Sequence, residues 1–442
     1  MSADFDLVVV GAGAAGGIVA QVAAEAGRSV LLLERGRRLS FADSGHRDHL
    51  RNHRLSTYGH NTGPDLDGNP RVIVEPDGSA RVVRPHENGY HNNAVCVGAG
   101  TFVYGGLAWR FLPEDFRMAS IYGVPEGSSM VDWPLGYDDL EPWYSRAEWE
   151  IGVSGDSRPR GWGRRSRGYP MPAVAGYEAA RVLGRGAAGL GLEAFAPPLL
   201  INTVPFAGRQ ACVQCGSCVG FPCPSDAKNG TWNTAIPRAI ATGSCSLVTG
   251  AVVERVETDA LGRVTGVGYL IDGDAGVERR SVRSKAVVLS GGAIETARLM
   301  LMSSSRHHPD GLGNAHDQVG RHLQGHYYPA AYGLFDHEVH DPRGPGVTIA
   351  TCAFNHHNPD IVGGAMLADD FIILPIAFWK AALPPDLRRW GREAKDFMRR
   401  NYRRVLPVRG PVHEIPDPES RVRIDAAVRD RWGLPVARLS GT

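Results

Sequence analysis

The chain has almost no charge of either sign in excess. Its 442 residues hold 48 lysines plus arginines against 47 aspartates plus glutamates, a net charge of +1. Nucleic acids and anionic bilayers are bound through a surplus of cations, so this balance argues against both as partners. Long hydrophobic runs are also lacking: none reaches the length of a membrane span, and no membrane partner is expected. No signal segment is legible either, because a strand-like run already begins at Phe5. A cytoplasmic location with reduced thiols is therefore expected. Cysteine is scarce and odd in number, seven in all, which disfavours a complete disulfide framework.

Glycine and proline are plentiful, with 55 Gly and 30 Pro. Apolar runs continue between them, so they read as tight turns and long ordered loops rather than disorder. The length exceeds what one core holds, so two or three domains are expected.

The most informative segment is FDLVVVGAGAAGG, Phe5 to Gly17, followed by LLLERG, Leu31 to Gly36. The run Leu7 to Val10 reads as a buried parallel strand. Gly11, Gly13 and Gly16 then form G-x-G-x-x-G at a strand-to-helix turn. Gly11 permits the turn, Gly13 lets the backbone approach a pyrophosphate, and Gly16 lets the helix pack on the strand. The opening residues of that helix, Ala14 and Ala15, present free N–H groups and a positive dipole end to phosphate charge. Glu34, about 20 residues on, can accept hydrogen bonds from a ribose diol, with Arg35 beside it. The pattern fits NAD and FAD alike.

Further along, Arg71 to Val74 carries a strand signal. Tyr137-Asp138-Asp139 opens a helix whose apolar side is expected to carry Leu140, Trp143, Tyr144 and Ala147. Residues 155–170 read as a basic exposed loop and 174–192 as a helix rich in small residues. Residues 246–289 read as three or four antiparallel strands, closing on Lys285 to Ser290, before a second glycine-rich turn and helix. The run AMLADDFIILPIAFW, 365–379, is the strongest strand signal in the last third. Residues 386–404 carry eight cations and an apolar stripe, which reads as an amphipathic helix with a solvated basic face.

Three segments resemble the glucose–methanol–choline (GMC) flavoprotein oxidoreductases. They are the fingerprint itself, VGAGTFVYGGLAWRF from Val97 to Phe111, and VVLSGGAIETARLMLMSS from Val287 to Ser304. Two lesser matches are WPLGYDDLEPWYSRAE and VGRHLQGH. The motifs follow the family's order over nearly the whole chain, and look most like the bacterial sugar- and glycoside-oxidising branch. The resemblance implies an α/β fold: a Rossmann-like FAD-binding domain and a second α+β substrate domain on an antiparallel sheet. The first would comprise 1–45, 86–150 and 205–325; the second, with cover loops, would comprise 46–85, 151–204 and 326–442. It implies FAD as cofactor. Gly98, Gly100, Thr101, Tyr104 and Gly105 would lie along the flavin loop, and Val253 and Gly291 at the adenine. Where some members attach FAD through a His, this chain has Val103 and then Tyr104, so non-covalent FAD is expected.

The expected reaction oxidises the CH–OH group of a sugar, glycoside or related alcohol by hydride transfer to flavin N5. The electron acceptor, oxygen or another, stays open. The family's base is a His in a C-terminal segment. This chain closes on DRWGLPVARLSGT, which resembles the strand before that segment, with no His-x-x-Gly-Thr pattern after it. The resemblance thus places the catalytic pair beyond Thr442, and no base is assigned. His326 and His356 are weighed as cavity-facing and neither is chosen. A catalytically weak FAD-binding fragment is the alternative, as is an iron–sulfur-assisted dehydrogenase of the same family. The last rests on Cys212-x2-Cys215-x2-Cys218-x4-Cys223, whose spacing is near that of ferredoxins. A structural loop covering the flavin is favoured over that cluster, and over a zinc or redox-thiol site.

Overall fold

The computed structural model describes residues 3–44, 62–85, 87, 89–91, 94–157, 163–273, 276–341, 343–370 and 375–441. Its organising element is a six-stranded sheet. Strand β1 (Phe5–Val10) lies between β2 (Val30–Glu34) and the long strand Gly276–Leu289, parallel to both at its contacts. Cys245–Thr249 adds to the far side of β2, also in parallel. Gly276–Leu289 changes partners along its length. Its first half pairs antiparallel with Val264–Gly273, and its second half pairs with β1. Residues 246–289 therefore hold the expected number of strands, but the first of them is parallel, not antiparallel.

The alternation of β1 and β2 decides which faces are buried. Val9 and Leu32 point to one face, where helix α1 (Ala14–Glu25) packs through Ala20 and Ala24, joined by Ile236 and Ala239 of a second helix. Val8, Leu31 and Leu33 point to the other, against Val256, Val267, Tyr269 and Val282 of the antiparallel layer. A central strand apolar on both faces is what a covered parallel sheet requires.

Two further four-stranded sheets complete the molecule. One pairs Arg71–Val74 and Ala80–Val83 with the hairpin Arg421–Arg429 and Pro435–Ser440. It packs through Ile73, Val83, Val422 and Leu439 onto Ile294 and Ala297 of the helix Gly292–Met302. The other is wholly antiparallel, in the order Ala330–Leu334, Val405–Arg409, Leu367–Asp369, Ala350–Thr351. The architecture is thus a Rossmann-like α/β region joined to a mixed region built on partly antiparallel sheets.

Several local expectations change. In the helix Tyr137–Ile151, Asp139 does accept the Gly136 N–H at 2.8 Å. Its buried face, however, is Tyr137, Glu141, Ser145, Glu148 and Ile151, while Trp143 and Ala147 are exposed. The cause is Arg110, buried beneath this face. Its guanidinium donates to both Glu148 oxygens (2.7 and 2.8 Å), to the Tyr137 hydroxyl (2.9 Å) and to Ser145 (3.0 Å). Arg165, expected in an exposed loop, also pairs with Glu148 and keeps only 10% of its side chain exposed. The run 365–379 yields only the strand Leu367–Asp369 and then a helix, Pro375–Ala381; 371–374 lie outside the described residues. The basic helix spans Arg392–Asn401, shorter than its charge pattern. Among the described residues no helix is long and apolar enough to cross a membrane.

Candidate functional site

The ends of β1, β2 and Gly276–Leu289 meet at one sheet edge. Gly11 N–H donates to Leu33 O at 2.7 Å, and Ser290 N–H donates to Val10 O at 2.8 Å. The two strand–turn–helix units therefore open side by side, where ligands of parallel sheets sit. A cleft of about 1760 Å³ runs along this edge. Gly11, Gly13, Ala14, Ala15, Glu34, Arg35, Gly100, Thr101, Tyr104, Val253 and Gly291 all line it.

Three of the sequence-derived residues do not line it, and each has a structural place. Gly16 is buried under the turn: a Cβ there would stand 1.9 Å from Gly11 O. Gly98 is buried, left-handed (φ +90°) and pressed against Trp232. Its N–H donates to Ala12 O at 2.7 Å, tying the flavin-type loop to the fingerprint turn. Gly105 is buried beside Tyr104. Expected ligand donors in the loop are partly committed, since the Thr101 N–H donates to Gly98 O at 3.0 Å. Tyr104 lines the cleft, but its hydroxyl donates to Asn229 O at 2.5 Å.

The cleft floor is shaped for bare backbone. A Cβ on Gly100 or Gly292 would meet nothing within 4 Å, so both glycines face open space. Ala99, between Gly98 and Gly100, holds φ +45°, a strained conformation for a residue with a Cβ. These are the features of a trough that a long, flat, doubly charged ligand can approach along its backbone. FAD fits this donor set and shape.

Glu34 ends β2 and lines the cleft, and its carboxylate is directed inward. Oε2 accepts the Ala12 N–H and Oε1 the Gly36 N–H, both at 2.8 Å. Burial pushes its carboxyl upward, against these two backbone bonds. Each oxygen keeps a further lone pair for a ligand.

The cysteine loop covers the Val103–Tyr104 side of the cleft. Gly220 N–H donates to Val103 O at 2.8 Å. The buried Lys228 donates to Tyr104 O (2.8 Å), Cys218 O (2.6 Å) and Phe221 O (2.8 Å), so one ammonium fastens both loops. Burial pushes the Lys228 amine down to about 8 and the Cys218 thiol up to about 12. Among the described residues the four sulfurs form no group close enough to share a metal ion.

One grouping was not legible in sequence: Asp115, His356 and His413, about 240 and 57 residues apart. His356 Nε2 and His413 Nε2 lie 3.0 and 3.1 Å from Asp115 Oδ1. The outer nitrogen of His413 fixes its tautomer. Gly364 N–H donates to His413 Nδ1 at 3.0 Å, so Nδ1 carries no proton and Nε2–H donates to Asp115. Tyr122 OH accepts the His357 N–H and lies 3.0 Å from His356 Nδ1, so both ring nitrogens of His356 are engaged as well. A metal ligated at Nε2 would need a proton on Nδ1, where Gly364 already aims one. The cluster is therefore a closed hydrogen-bonded hub. Burial would raise the Asp115 carboxyl, but His356, His413 and the Leu112 N–H hold it well below the usual range. His413 lines the cleft; so do His326, Tyr327 and Glu414. His326 packs edge-on to Tyr328 at 5.8 Å and makes no hydrogen bond among the described residues.

The fold and this glycine-floored cleft define a dinucleotide-binding protein of the Rossmann type, extended by a second, partly antiparallel region. Comparison with known proteins sharpens that class. A GMC oxidoreductase family profile matches residues 175–328, and an NAD(P)-binding Rossmann-like profile matches 9–71. The chain belongs to the GMC oxidoreductase family. It is 33% identical to paromamine 6'-oxidase of Streptomyces fradiae, over 72% of this chain and 53% of that protein. It is 32% identical to 6'''-hydroxyparomomycin C oxidase of Streptomyces lividus, over 81% of this chain and 62% of that protein. The chain thus spans between half and two thirds of these curated relatives. Among solved structures, pyridoxine 4-oxidase from Mesorbium loti shares the fold, with a TM-score of 0.59 at 17% identity, covering 98% of this chain and 75% of that one.

Proposed function

We propose that the cleft binds FAD non-covalently, and that the protein is a flavin-dependent oxidoreductase acting on a CH–OH group of a sugar, glycoside or related alcohol. The observation that carries this reading is the pair of adjacent glycine turns, at Gly11–Gly13 and Ser290–Gly292, facing the open Gly100. An NAD site needs one such turn. Two along a single trough, with the open Gly100 beside them, suit a longer, extended ligand. FAD bound there would supply the hydride acceptor. The chain's own part is to hold the pyrophosphate at the α1 N-terminus, the ribose at Glu34 and the ring system under Tyr104 and the cysteine loop.

The names of the two Streptomyces relatives, an oxidase of paromamine and one of 6'''-hydroxyparomomycin C, support a substrate of this class. Proton transfer from the carbinol is the step this chain leaves least provided for. His413 and His356 have both ring nitrogens engaged, whereas His326, which also lines the cleft, makes no hydrogen bond among the described residues. That observation favours a second reading, in which the chain retains flavin but turns over substrate weakly.

The test is direct. The purified chain should be yellow, and denaturation should release that colour into the supernatant. Anaerobic addition of a sugar or aminoglycoside panel should bleach the flavin band. A colourless protein that also fails to take up added FAD defeats the proposal, whereas a yellow protein that no substrate bleaches selects the second reading.

A further inference from the structure

Three arginines converge on one carboxylate at the lip of the cleft, on the side of Glu34. Glu295, in the first turn of the helix Gly292–Met302, lies 2.9 Å from Arg71, 3.2 Å from Arg298 and 3.5 Å from Arg35. Glu295, Arg35 and Arg298 line the cleft. The three cations are not equivalent. Arg71 is buried and also donates to Tyr90 O (2.6 Å) and His91 O (2.9 Å), with its ring neighbour Tyr90 beneath it. Arg298 is fixed by Asp430 (2.7 Å) and by Pro435 O (2.8 Å), both from the far end of the chain. Arg35 has Glu295 as its only ion-pair partner among the described residues, and its side chain keeps 21% exposure.

We propose that Glu295 is a positioning residue for the nucleoside end of the dinucleotide: by tethering one edge of Arg35, it holds the guanidinium over the position next to Glu34 where the adenosine lies. The inference rests on the dinucleotide reading of the cleft. Its physical basis is preorganisation. A free arginine surrenders substantial rotamer entropy when it clamps a ligand, and a tether in the empty protein removes most of that cost. Arg35's untethered N–H groups and flat face then serve ring nitrogens and ribose oxygens. The charges support the direction. Arg35 and Arg298 both line the cleft, but Arg298 is also held by Asp430, whereas Arg35 faces Glu295 and draws the Glu34 carboxyl toward its charged form, so Arg35 is the cation left for a ligand. Burial would raise the Glu295 carboxyl, but the three arginines hold it well below the usual range, so the tether is ionised at any working pH.

The recombinant chain, stripped of flavin, is titrated with FAD and with ADP, which carries the adenosine and pyrophosphate but no flavin. Glu295→Gln and Arg35→Ala should each weaken both ligands by about tenfold. The double variant should be no weaker than the weaker single one, because both changes remove the same clamp. Wild-type affinity in Arg35→Ala, or losses that multiply in the double variant, overturns the proposal. Glu295→Gln also leaves Arg71 less compensated, so its thermal midpoint is measured alongside. If it fails to fold, Arg35→Ala, at a part-exposed position, decides alone through its ADP affinity. A wild-type chain that binds neither FAD nor ADP refutes the dinucleotide reading itself, and this inference with it.

Discussion

The α-carbon of Gly16 rests on the carbonyl of Gly11: a Cβ at position 16 would stand 1.9 Å from Gly11 O and 3.2 Å from Ser290 Cβ. Helix α1 can approach β1 only because that atom is missing. The contact separates two kinds of glycine in the same site. Gly16 serves the fold, whereas Gly100, with nothing within 4 Å of its would-be Cβ, is left open to the proposed flavin. Gly16→Ala should therefore lower the thermal midpoint of the empty protein, at a cost of about 2 kcal/mol or more, since backbone must move. Gly100→Leu should leave that midpoint within experimental error and lose most of the retained flavin. Thermal melts and the flavin-to-protein absorbance ratio of each variant check both expectations. Gly100→Leu protein as yellow as wild type would refute the trough assignment.

The Arg110 network should behave as a buried ion cluster. Arg110→Leu strands Glu148 and Glu141 beneath the helix Tyr137–Ile151, with Arg165 as the remaining cation. Breaking one side of a buried pair costs about 3–5 kcal/mol. Arg110→Lys should rescue little, because a single ammonium cannot reproduce the bidentate contact at 2.7 and 2.8 Å on Glu148. Adding Glu148→Gln to Arg110→Leu should recover part of the loss. Urea denaturation of the three variants gives the numbers.

How far the sequence reached follows from which interactions are local. The fingerprint turn, Glu34 and the Ser290–Gly292 turn were legible because each needs one residue type at a fixed offset from a strand. The Leu140–Trp143–Tyr144–Ala147 face was misread because periodicity assumes that buried means apolar. Here the buried stripe is Glu141–Ser145–Glu148, made tolerable by Arg110 from another segment. Asp115, His413 and Glu295 carried no signal at all: their partners are set by tertiary contact between strands and loops far apart in the chain. Gly98 and Gly105 were assigned to the ligand, yet Gly98 instead buttresses the loop against Ala12 and Trp232. A glycine motif marks a close approach but does not say whether backbone or ligand makes it.

The His413 tautomer in the Asp115 hub predicts indifference to metal. With Gly364 N–H aimed at His413 Nδ1, zinc at Nε2 would force two donors together. Equimolar zinc should leave the thermal midpoint unchanged, and isothermal titration should show no site lost on His413→Asn. A zinc-dependent rise in the midpoint that His413→Asn removes would contradict the hydrogen-bond assignment. Asp115→Asn should destabilise by about 1–3 kcal/mol, since its amide cannot accept from both imidazoles and from Leu112 N–H together.

The buried Asp369 predicts a pH dependence of stability whose sign follows from its burial. Its carboxylate is buried, accepting the Thr348 N–H (2.7 Å), the Ile349 N–H (3.0 Å) and the Thr348 hydroxyl (3.1 Å). Burial nevertheless pushes its carboxyl up to about 7, from an ordinary value of 3.8. Between those values the folded chain keeps a proton that the unfolded chain has released. The stability this group contributes is thus fully present below pH 3.8 and is lost as the pH rises through 7. Asp369→Asn removes the titration while its carbonyl oxygen keeps the two backbone bonds, and the Thr348 hydroxyl can turn to accept from the amide. The variant should be more stable than wild type at pH 8, by an amount on the order of 2–4 kcal/mol, and the difference should shrink as the pH falls toward 4. Denaturant midpoints of both proteins across that range measure it; parallel curves would show that Asp369 stays ionised in the fold.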